Sequence, residues 1–586
     1  MTAPAPSSAS TTASPLRARP DRSFLWAFGL SLLVSILIIL PYFWWGSASG
    51  HDFEFHAASW LDAAAQWHQG ILYPRWHQSA NHGFGEPRFL FYPPLSWMLG
   101  AALGSLIPWS AVPAAFIVLV QTMAGLAAFA LVRRFSSSRA AVFAAVAYAA
   151  NPYALLVVYM RSDFAEQLAS AVLPLVPLFA CLLAVSPPGP RWSRSGHIAG
   201  FAVTFAAVWL SNAPAGVLAS YSFLLLFAWF AWEKKSWRPL LFGFAAIALG
   251  LALSAFYLIP AAYEQRWVNI SQALSAGLLP SENFLYTWIA DPEHNLFNLI
   301  ASTVAVLMIV LAFLAAVFVI RRSRAQVSGL APAQRDVTSS ITPAMLLLAA
   351  ACAFMMLRLS SFLWPLLPKL RFVQFPWRWA LVLAVPYAWF LGSVFAWPRR
   401  RVLWILALLA VSGGSAAFLI THTWWDSDDM PSLHDALDQQ QGFDGTDEYD
   451  PAGDDHYNLP PHAPEAIALA GDSGPVPKAD LAVLQWGPER KLLRVTSAQP
   501  LRVALRLLDY PAWRVEVNGK PVSVERPEQT AQMIVPLPAG TSLISVRFAR
   551  TPDRTAGGLV SLGALLLTAV LFGLARVKLR AEISVR

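Results

Sequence analysis

Long apolar segments recur along most of this chain and are separated by short polar stretches. A helix needs about 20 apolar residues to cross the hydrocarbon layer of a membrane. By that measure the pattern predicts membrane-spanning helices at 24–45, 111–132, 140–159, 167–186, 198–212, 215–232, 239–260, 298–320, 343–358, 378–396, 402–420 and 557–575. These segments are too long for barrel strands, and only helices or closed barrels satisfy the backbone in lipid. The sequence therefore predicts a polytopic α-helical membrane protein with about twelve spans.

The stretch 93–108 is also apolar, and the distribution of basic residues decides how it is interpreted. Cytoplasmic loops carry an excess of Lys and Arg. If 93–108 does not cross, the basic clusters all fall on one side of the membrane. These clusters are Arg133/Arg134/Arg139, Arg191/Arg194, Lys234/Lys235/Arg238, Arg321/Arg322/Arg324, Arg399/Arg400/Arg401 and Arg576/Lys578/Arg580. We therefore expect 93–108 to be a re-entrant or surface helix and both chain ends to be cytoplasmic.

The first apolar segment has some features of a signal peptide, since Arg17, Arg19 and Arg22 precede it. Its apolar run of about twenty residues is longer than the usual apolar region of such a peptide. We therefore interpret it as an uncleaved first span that follows a cytoplasmic tail at 1–23. A transmembrane domain would then cover 24–420, with a long outer loop at 46–110.

The pattern changes after residue 420. Residues 426–455 are rich in Asp and Glu and match no standard calcium loop, so 421–480 is interpreted as a solvated acidic linker. Short alternating runs then predict strands at 482–486, 491–497, 501–508, 513–517, 521–525, 532–535 and 543–549. Asn518-Gly519 is a strong hairpin signal. The sequence therefore predicts an extracytoplasmic β-sandwich-like domain at 481–556, before the last span and a cytoplasmic tail at 557–586.

Composition supports the membrane assignment and excludes some partners. The chain is 56% hydrophobic and 13% charged, with a mean hydropathy of +0.49. A pI near 9.5 would suit a nucleic-acid partner, but the basic residues lie in short clusters between apolar segments. That distribution is typical of membrane topology, so no nucleic-acid partner is expected. Cys181 and Cys352 lie inside apolar segments and imply no disulfide framework.

The polar residues that could do chemistry fall mainly on the outer face in this topology. His51-Asp52-Phe53-Glu54-Phe55-His56 directly follows the first span, where charged groups are costly and mark a functional site. Asp163 and Glu166 would share one helix face and either form a second acidic site or bind Arg161. The segment 371–378 combines two arginines with aromatic residues, which suits either a phosphate site or an anchor at the membrane interface.

Several motifs carry a resemblance to a known group of proteins. They are the acidic pair after the first span, Gly70-Ile71-Leu72-Tyr73-Pro74-Arg75-Trp76, Gly85-Glu86-Pro87-Arg88, Tyr92-Pro93-Pro94-Leu95, the segment 371–378 and Tyr510-Pro511-Ala512-Trp513. Together they resemble the GT-C superfamily of membrane glycosyltransferases, which use sugars linked to lipid phosphates. More closely, the chain is similar to bacterial membrane proteins labelled as related to 6-pyruvoyl-tetrahydropterin synthase.

The resemblance implies an inverting glycosyltransferase on the extracytoplasmic face of the bacterial inner membrane. The donor would be a polyprenyl-phosphate sugar, and the acceptor an envelope glycan, lipid or protein. The family's acidic pair falls on Asp52 and Glu54, with Asp52 as the base and Glu54 orienting the acceptor or holding Mg²⁺ or Mn²⁺.

The donor phosphate would be bound by arginines, because a guanidinium can hold phosphate through two hydrogen bonds. The candidates are Arg88, Arg371 and Arg378. Asp163 and Glu166 are the candidates for a second acidic site, as relatives often have one.

Two other function classes stay open. A non-enzymatic transporter of lipid or glycan would be expected to show an internal repeat and polar groups near the middle of the membrane. The sequence has no clear repeat, and its polar clusters lie at the outer face. A scaffold for envelope assembly would use the β-rich domain to bind glycan. An enzyme accounts best for the acidic pair.

Overall fold

The computed structural model describes residues 22–185, 191–326, 332–395, 397–469 and 478–584. Its α-helices are α1 Ser23–Ile39, α2 Tyr42–Trp45, α3 Phe53–His68, α4 Arg88–Phe91, α5 Pro94–Gly104, α6 Val112–Phe135, α7 Ser138–Ala149, α8 Pro152–Leu156, α9 Phe164–Val172, α10 Leu175–Val185, α11 Arg191–Ser211, α12 Ala213–Glu233, α13 Arg238–Leu253, α14 Ala255–Glu264, α15 Pro292–Gln326, α16 Pro332–Met356, α17 Trp379–Val394, α18 Arg401–Leu408, α19 Gly414–His422, α20 Asp429–Asp438 and α21 Pro552–Ser584. The chain is mostly helical, as its apolar pattern predicts.

In the described residues each predicted span falls on one or more helices, but not every helix is long and apolar enough to cross a membrane by itself. Within the described residues, the segments that meet both conditions are Ser23–Trp45, Trp109–Phe135, Ser138–Arg161, Phe164–Val185, Ala213–Glu233, Pro292–Arg322, Pro398–His422 and Pro552–Ala575. α13 and α14 meet at 74° and make a ninth span if they cross as one bent unit. The remaining predicted spans correspond to α11, α16 and α17, so twelve crossings stays a prediction.

The stretch 93–108 forms a short helix that packs against the helices around it. α5 has 11 residues, which at 1.5 Å per residue is about 17 Å, or roughly half of the hydrocarbon thickness. It contacts α3 and α6. Its length agrees with a re-entrant or surface helix rather than with a crossing.

The segment before the last helix is a β-sandwich. Its strands are β3 Ala466–Leu469, β4 Ala479–Trp486, β5 Arg490–Ser497, β6 Leu501–Leu508, β7 Trp513–Val517, β8 Lys520–Pro521, β9 Gln532–Leu537 and β10 Gly540–Phe548, while β1 Ser47–Ala48 pairs separately with β2 Trp425–Asp426. The antiparallel sheets run in the order β4-β5-β10-β7-β8 and β3-β6-β9. Alternate residues such as Leu493, Val503 and Val546 fill the core between them. Asn518 and Gly519 have φ of 53° and 75°, as a two-residue hairpin with positive φ at both positions requires.

Two details differ from the sequence-based expectations. The predicted strand 521–525 is reduced to β8 Lys520–Pro521: the Val522 N–H still donates to the Val515 carbonyl at 3.1 Å, but Glu525 pairs with Ile534 of β9 in the other sheet. The segment 421–480, of which 470–477 lie outside the described residues, is not a solvated linker in its described part. It contains α20 and β3, and Asp450 and Asp454 within it are buried.

A buried ion pair joins the β-domain, α14 and the last helix. Glu264 is fully buried and accepts two hydrogen bonds from Arg554 at 2.7 Å each, in bidentate geometry. The Tyr510 hydroxyl donates to the same carboxylate at 2.5 Å. Because one carboxylate binds residues from both domains, it holds the β-domain in a fixed position beside α14.

Candidate functional site

A cavity of about 970 Å³ lies where the ends of several helices meet the segments that follow them. Its charged and imidazole side chains are His51, Asp52, Glu54, His82, Arg88, Asp163, Lys369, Arg378, Asp429, Asp444 and Glu448. Apolar lining is contributed by Trp209, Ala213, Pro214, Val217, Leu258 and Ala261. The cavity therefore offers both a polar and an apolar surface to one ligand.

Asp52 stands directly before α3, and an arginine holds its side chain. The Arg161 guanidinium donates to Asp52 Oδ2 at 2.5 Å, and the Asp52 backbone N–H donates to the Arg161 carbonyl at 2.9 Å. The Asp52 side chain is about one-third exposed, whereas that of Arg161 is buried. These contacts fix the start of α3 against the turn that follows α8, and they neutralise the Asp52 carboxylate.

Glu54 lies in the first turn of α3 and is exposed to the cavity. Within the described part of the chain its carboxylate has no hydrogen bond and no ion pair. Partial burial raises the pKa of Glu54, and the carboxylates of Asp429 and Asp444 raise it further. A free carboxylate with a raised pKa in a cavity has the properties of a general base.

Asp163 and Glu166 belong to a buried cluster of charges behind Asp52. Arg161 lies 3.3 Å from Asp163 Oδ2 and 3.2 Å from Glu166 Oε2. Arg378 lies 3.5 Å and 3.3 Å from the same two oxygens. The predicted second acidic site is thus close to the first, but its carboxylates are engaged by two arginines. Asp163 lines the cavity and Glu166 does not.

The Asp163 carboxylate of this cluster also contacts a histidine. His56 Nε2 lies 3.6 Å from Asp163 Oδ1, and both residues are buried. Burial by itself raises the pKa of Asp163, but His56, Arg161 and Arg378 outweigh it and hold that pKa below its usual range. Asp163 is therefore an ionised, structural carboxylate rather than a proton acceptor.

The three arginines predicted to bind phosphate are in different situations. Arg88 is 2% exposed; it donates to Glu86 at 2.5 Å and to Thr446 Oγ1 at 2.9 Å. Arg378 lines the cavity but is already paired with the buried carboxylates of Asp163 and Glu166. Arg371 is exposed, lies 5.1 Å from the centre of the Phe372 ring and does not line the cavity.

The sequence analysis missed the contribution of residues 429–449, which it assigned to a linker. Asp429, Asp444, Glu448 and Tyr449 all line the cavity. The segment is held by Thr446, whose backbone N–H donates to Glu86 Oε2 at 2.9 Å. The signal that could have found it is the Gly442-Phe443-Asp444-Gly445 motif.

The glycines of this motif are needed because the segment approaches the turn at 79–83 closely. Gly442 has φ of +77° and lies against the backbone of that turn. A Cβ at Gly445 would overlap the side chain of Asn81.

We therefore expect Gly445→Ala to displace the segment, lower turnover and increase cleavage of 440–450 in limited proteolysis. Gly487→Ala is the control, because the nearest atom to a Cβ there is a backbone oxygen at 3.4 Å, which is an ordinary van der Waals contact. Parent-like proteolysis and turnover of the Gly445 variant would contradict this close packing.

Asp52 and Glu54 are the residues predicted to hold a divalent cation. Among the described residues there is no group of three or more His, Cys, Asp or Glu side chains that could hold a metal ion. Asp52 is already bound to Arg161. The divalent cation stays a prediction, and the proposed reaction does not require it.

Comparison with known families supports one part of the sequence analysis directly. A family model described as "6-pyruvoyl-tetrahydropterin synthase related domain; membrane protein" matches residues 89–426, more than half of the chain. No curated protein matches the chain.

Two similar solved structures are the Archaeoglobus fulgidus oligosaccharyltransferase in the apo form and the oligosaccharyltransferase AglB of the same organism with an inhibitory peptide and a dolichol-phosphate. Each is 15% identical to this chain, with TM-scores of 0.36 and 0.33. The matches cover 73% and 72% of this chain but 57% and 56% of the archaeal ones. Such low TM-scores support no conclusion about activity.

Proposed function

The chain belongs to the family of membrane proteins described as related to 6-pyruvoyl-tetrahydropterin synthase, and we propose that it is a membrane glycosyltransferase. The reaction would move a sugar from a polyprenyl-phosphate donor to an envelope glycan, lipid or protein. The observation that carries this proposal is the position of Glu54, a free carboxylate in a cavity that also has an apolar lining.

The chemistry needs little more than a base and a place for the phosphate. The acceptor hydroxyl gives its proton to Glu54 as its oxygen forms a bond to C1 of the sugar. The bond from C1 to the phosphate oxygen breaks, and polyprenyl phosphate leaves with the electron pair. Phosphate is a good leaving group, so protonating it matters little. A single displacement of this kind inverts the configuration at C1.

The contacts of the acidic pair support different roles for its two members. The sequence analysis assigned the base to Asp52 and the orienting role to Glu54. Asp52 is paired with the buried Arg161, so a proton taken up by its carboxyl group would remove the charge that compensates this guanidinium. Glu54 has no such partner in the described chain. We therefore assign the base to Glu54 and the positioning of α3 to Asp52.

The proposed donor also fits the composition of the cavity. A polyprenyl phosphate has an anionic head and an apolar tail, and the cavity has cationic and apolar linings. We place the cavity on the extracytoplasmic side of the inner membrane, because the basic clusters follow the opposite helix ends.

The orientation can be tested by labelling single cysteines in intact cells. Ser136 lies between α6 and α7, beside Arg133 and Arg134, and Thr541 is exposed in β10. We expect Ser136→Cys to react only after the membrane is permeabilised and Thr541→Cys to react with an impermeant reagent from outside. Labelling of Ser136→Cys in intact cells would show that the orientation is reversed and that the cavity lies on the cytoplasmic side.

The activity can be tested with the full chain purified in lipid. A panel of polyprenyl-phosphate sugars is incubated with the protein, and released polyprenyl phosphate and transferred or hydrolysed sugar are measured. The proposal expects turnover that the Glu54→Gln variant largely lacks. Equal release by parent and variant across the panel would overturn it. Movement of an unchanged donor across vesicles would instead favour the transporter.

A further inference from the structure

The arginines that line the cavity leave the donor phosphate without an obvious partner. Arg88 and Arg378 are each within 4 Å of at least one carboxylate, so their charges are largely compensated. A phosphate bound at either arginine would compete with buried Glu86 or Asp163. The cavity should therefore contain another site with uncompensated positive potential.

The N-terminus of α12 is such a place. α12 has 21 residues, and its first residues Ala213 and Pro214 line the cavity. A helix of this length carries partial positive charge at its N-terminus, where the backbone N–H groups are not used within the helix. In the described structure the Ala213 N–H has no hydrogen-bond partner. Pro214 has no N–H, so Ala213 is the residue that offers a backbone donor at this end of the helix.

Asn212 supplies a second, independent observation. It lines the cavity but is only 4% exposed. Its Oδ1 caps α12 by accepting a hydrogen bond from the Ala215 N–H at 2.8 Å. This contact fixes which end of the amide is the oxygen. The Nδ2 amide then has no partner among the described residues, and since Asn212 lines the cavity this donor is available to a ligand there.

Among the described residues, the cavity lining also includes a cation that no carboxylate compensates. Lys369 lines the same cavity, is exposed, and has no carboxylate at ion-pair distance within the described residues. Its Nζ donates to Gln265 Oε1 at 2.9 Å. The preceding residue, Pro368, accepts a hydrogen bond at 2.8 Å from Tyr221 of α12. Through this contact the segment that carries Lys369 packs against α12, at a residue eight positions after Ala213.

We infer that the phosphate of a lipid-linked donor binds at the N-terminus of α12, through the Asn212 Nδ2, the Ala213 N–H and Lys369. This inference rests on the proposed function, since it names where that donor is held. Trp209, Pro214 and Val217 give the first isoprene units an apolar surface beside the phosphate. Helix N-termini with free N–H groups are common phosphate sites.

The Asn212 side chain allows a substitution that separates binding from folding. Asp and Ser also cap helices well, so Asn212→Asp and Asn212→Ser should keep α12 intact. Ser removes the amide donor, and Asp also brings a negative charge to the site. Asn518→Asp, in the exposed hairpin of the β-domain, changes the same side chain outside the cavity and is the control.

The test is equilibrium binding of farnesyl phosphate and farnesol to the full chain in lipid nanodiscs. The parent should bind farnesyl phosphate about 10-fold or more tightly than farnesol. Asn212→Ser should lose about 10-fold of affinity for the phosphate, as loss of one hydrogen bond to a charged group predicts, and Asn212→Asp should lose more. Lys369→Gln should weaken phosphate binding and its dependence on salt. Affinity for farnesol should not change in any variant.

The outcomes distinguish this inference from the proposed function. If the parent prefers farnesyl phosphate and both Asn212 variants bind it as tightly as the parent, the phosphate site is elsewhere while a lipid-phosphate donor still stands. If the parent binds both lipids equally, the lipid-phosphate donor and this subsite are both wrong. Equal loss in the Asn518 control would show a general effect of charge and would overturn the assignment to Asn212.

Discussion

Turnover by the Glu54→Gln variant is expected to fall about 10²–10⁴-fold, which is the usual loss when a general base is removed. Gln has nearly the same size as Glu but cannot accept the proton of the acceptor hydroxyl. Since the Glu54 carboxylate is exposed and has no partner in the described chain, its replacement should leave the fold and the melting temperature unchanged. The measurement is kcat with whichever polyprenyl-phosphate sugar the panel identifies, together with thermal unfolding.

The pH dependence gives an independent signature of the same base. Burial and nearby carboxylates raise the pKa of Glu54 above the usual value for a glutamate. A base acts only when deprotonated, so kcat/KM should rise with pH through this raised pKa and level off above it. The residual activity of Glu54→Gln should lack that rise.

Two further variants make the assignment specific. Glu293→Gln makes the same change at an exposed glutamate at the start of α15, outside the cavity, and should behave as the parent. Asp52→Asn should lower turnover through displacement of α3 but keep the dependence on pH. If Asp52→Asn abolishes that dependence and Glu54→Gln keeps it, the base is Asp52, as the sequence analysis predicted.

The fold could be predicted from the sequence because its signals are local. Apolar length and the alternation of strands depend on neighbouring residues, so helices and sandwich strands appear close to the expected positions. The exceptions come from long-range contacts. The predicted strand 521–525 is divided because Glu525 pairs with Ile534 in the other sheet, and α17, which lies buried among other helices, has 16 residues. Helix length within a buried bundle is set by packing rather than by hydropathy.

The candidate site could be predicted only in outline. Topology correctly brings Asp52, Glu54, Asp163 and Arg378 to one end of the helices, and these residues share one cavity. The pairing of Asp163 and Glu166 with Arg161 was one of the two alternatives that the sequence offered. The pairing of Asp52 with Arg161 could not be deduced, because it depends on the relative position of two helix ends distant in sequence. For the same reason the sequence does not show that Asp52 is paired with an arginine while Glu54 has no partner in the described chain.

The acidic segment shows how composition can mislead. Residues 426–455 have the composition of a solvated linker, but long-range contacts bury part of them. Asn81 Nδ2 donates to Asp450 Oδ1 at 2.8 Å, and Glu86 accepts from the Thr446 N–H. No pattern within 426–455 shows that these residues have hydrogen-bond partners in the first outer loop. Only the closely packed glycines Gly442 and Gly445 leave a trace in the sequence.

Replacement of Arg161 by Met is expected to cause the largest loss of stability, about 3–5 kcal/mol, as for other buried ion pairs that lose one partner. Arg161 is 3% exposed and faces Asp52, Asp163 and Glu166. Without it, the buried carboxylates of Asp163 and Glu166 share one arginine, Arg378, in place of two, and only Asp163 also has a histidine beside it among the described residues. The measurement is unfolding of the purified protein in lipid or detergent, with the exposed Arg134→Met as control, for which a change within about 0.5 kcal/mol is expected.

The second replacement Glu166→Gln shows whether charge balance is the cause of this loss. In the Arg161→Met background it removes one of the two buried carboxylates and leaves Asp163 paired with Arg378, 3.5 Å away. Part of the lost stability should therefore return, although Glu166→Gln alone should destabilise the parent. Coupling of this sign between neighbouring residues is what a shared charge network predicts. If the two losses simply add, the cluster is held by packing around Arg161, such as its contacts with Phe375 and Trp377, and not by its charges.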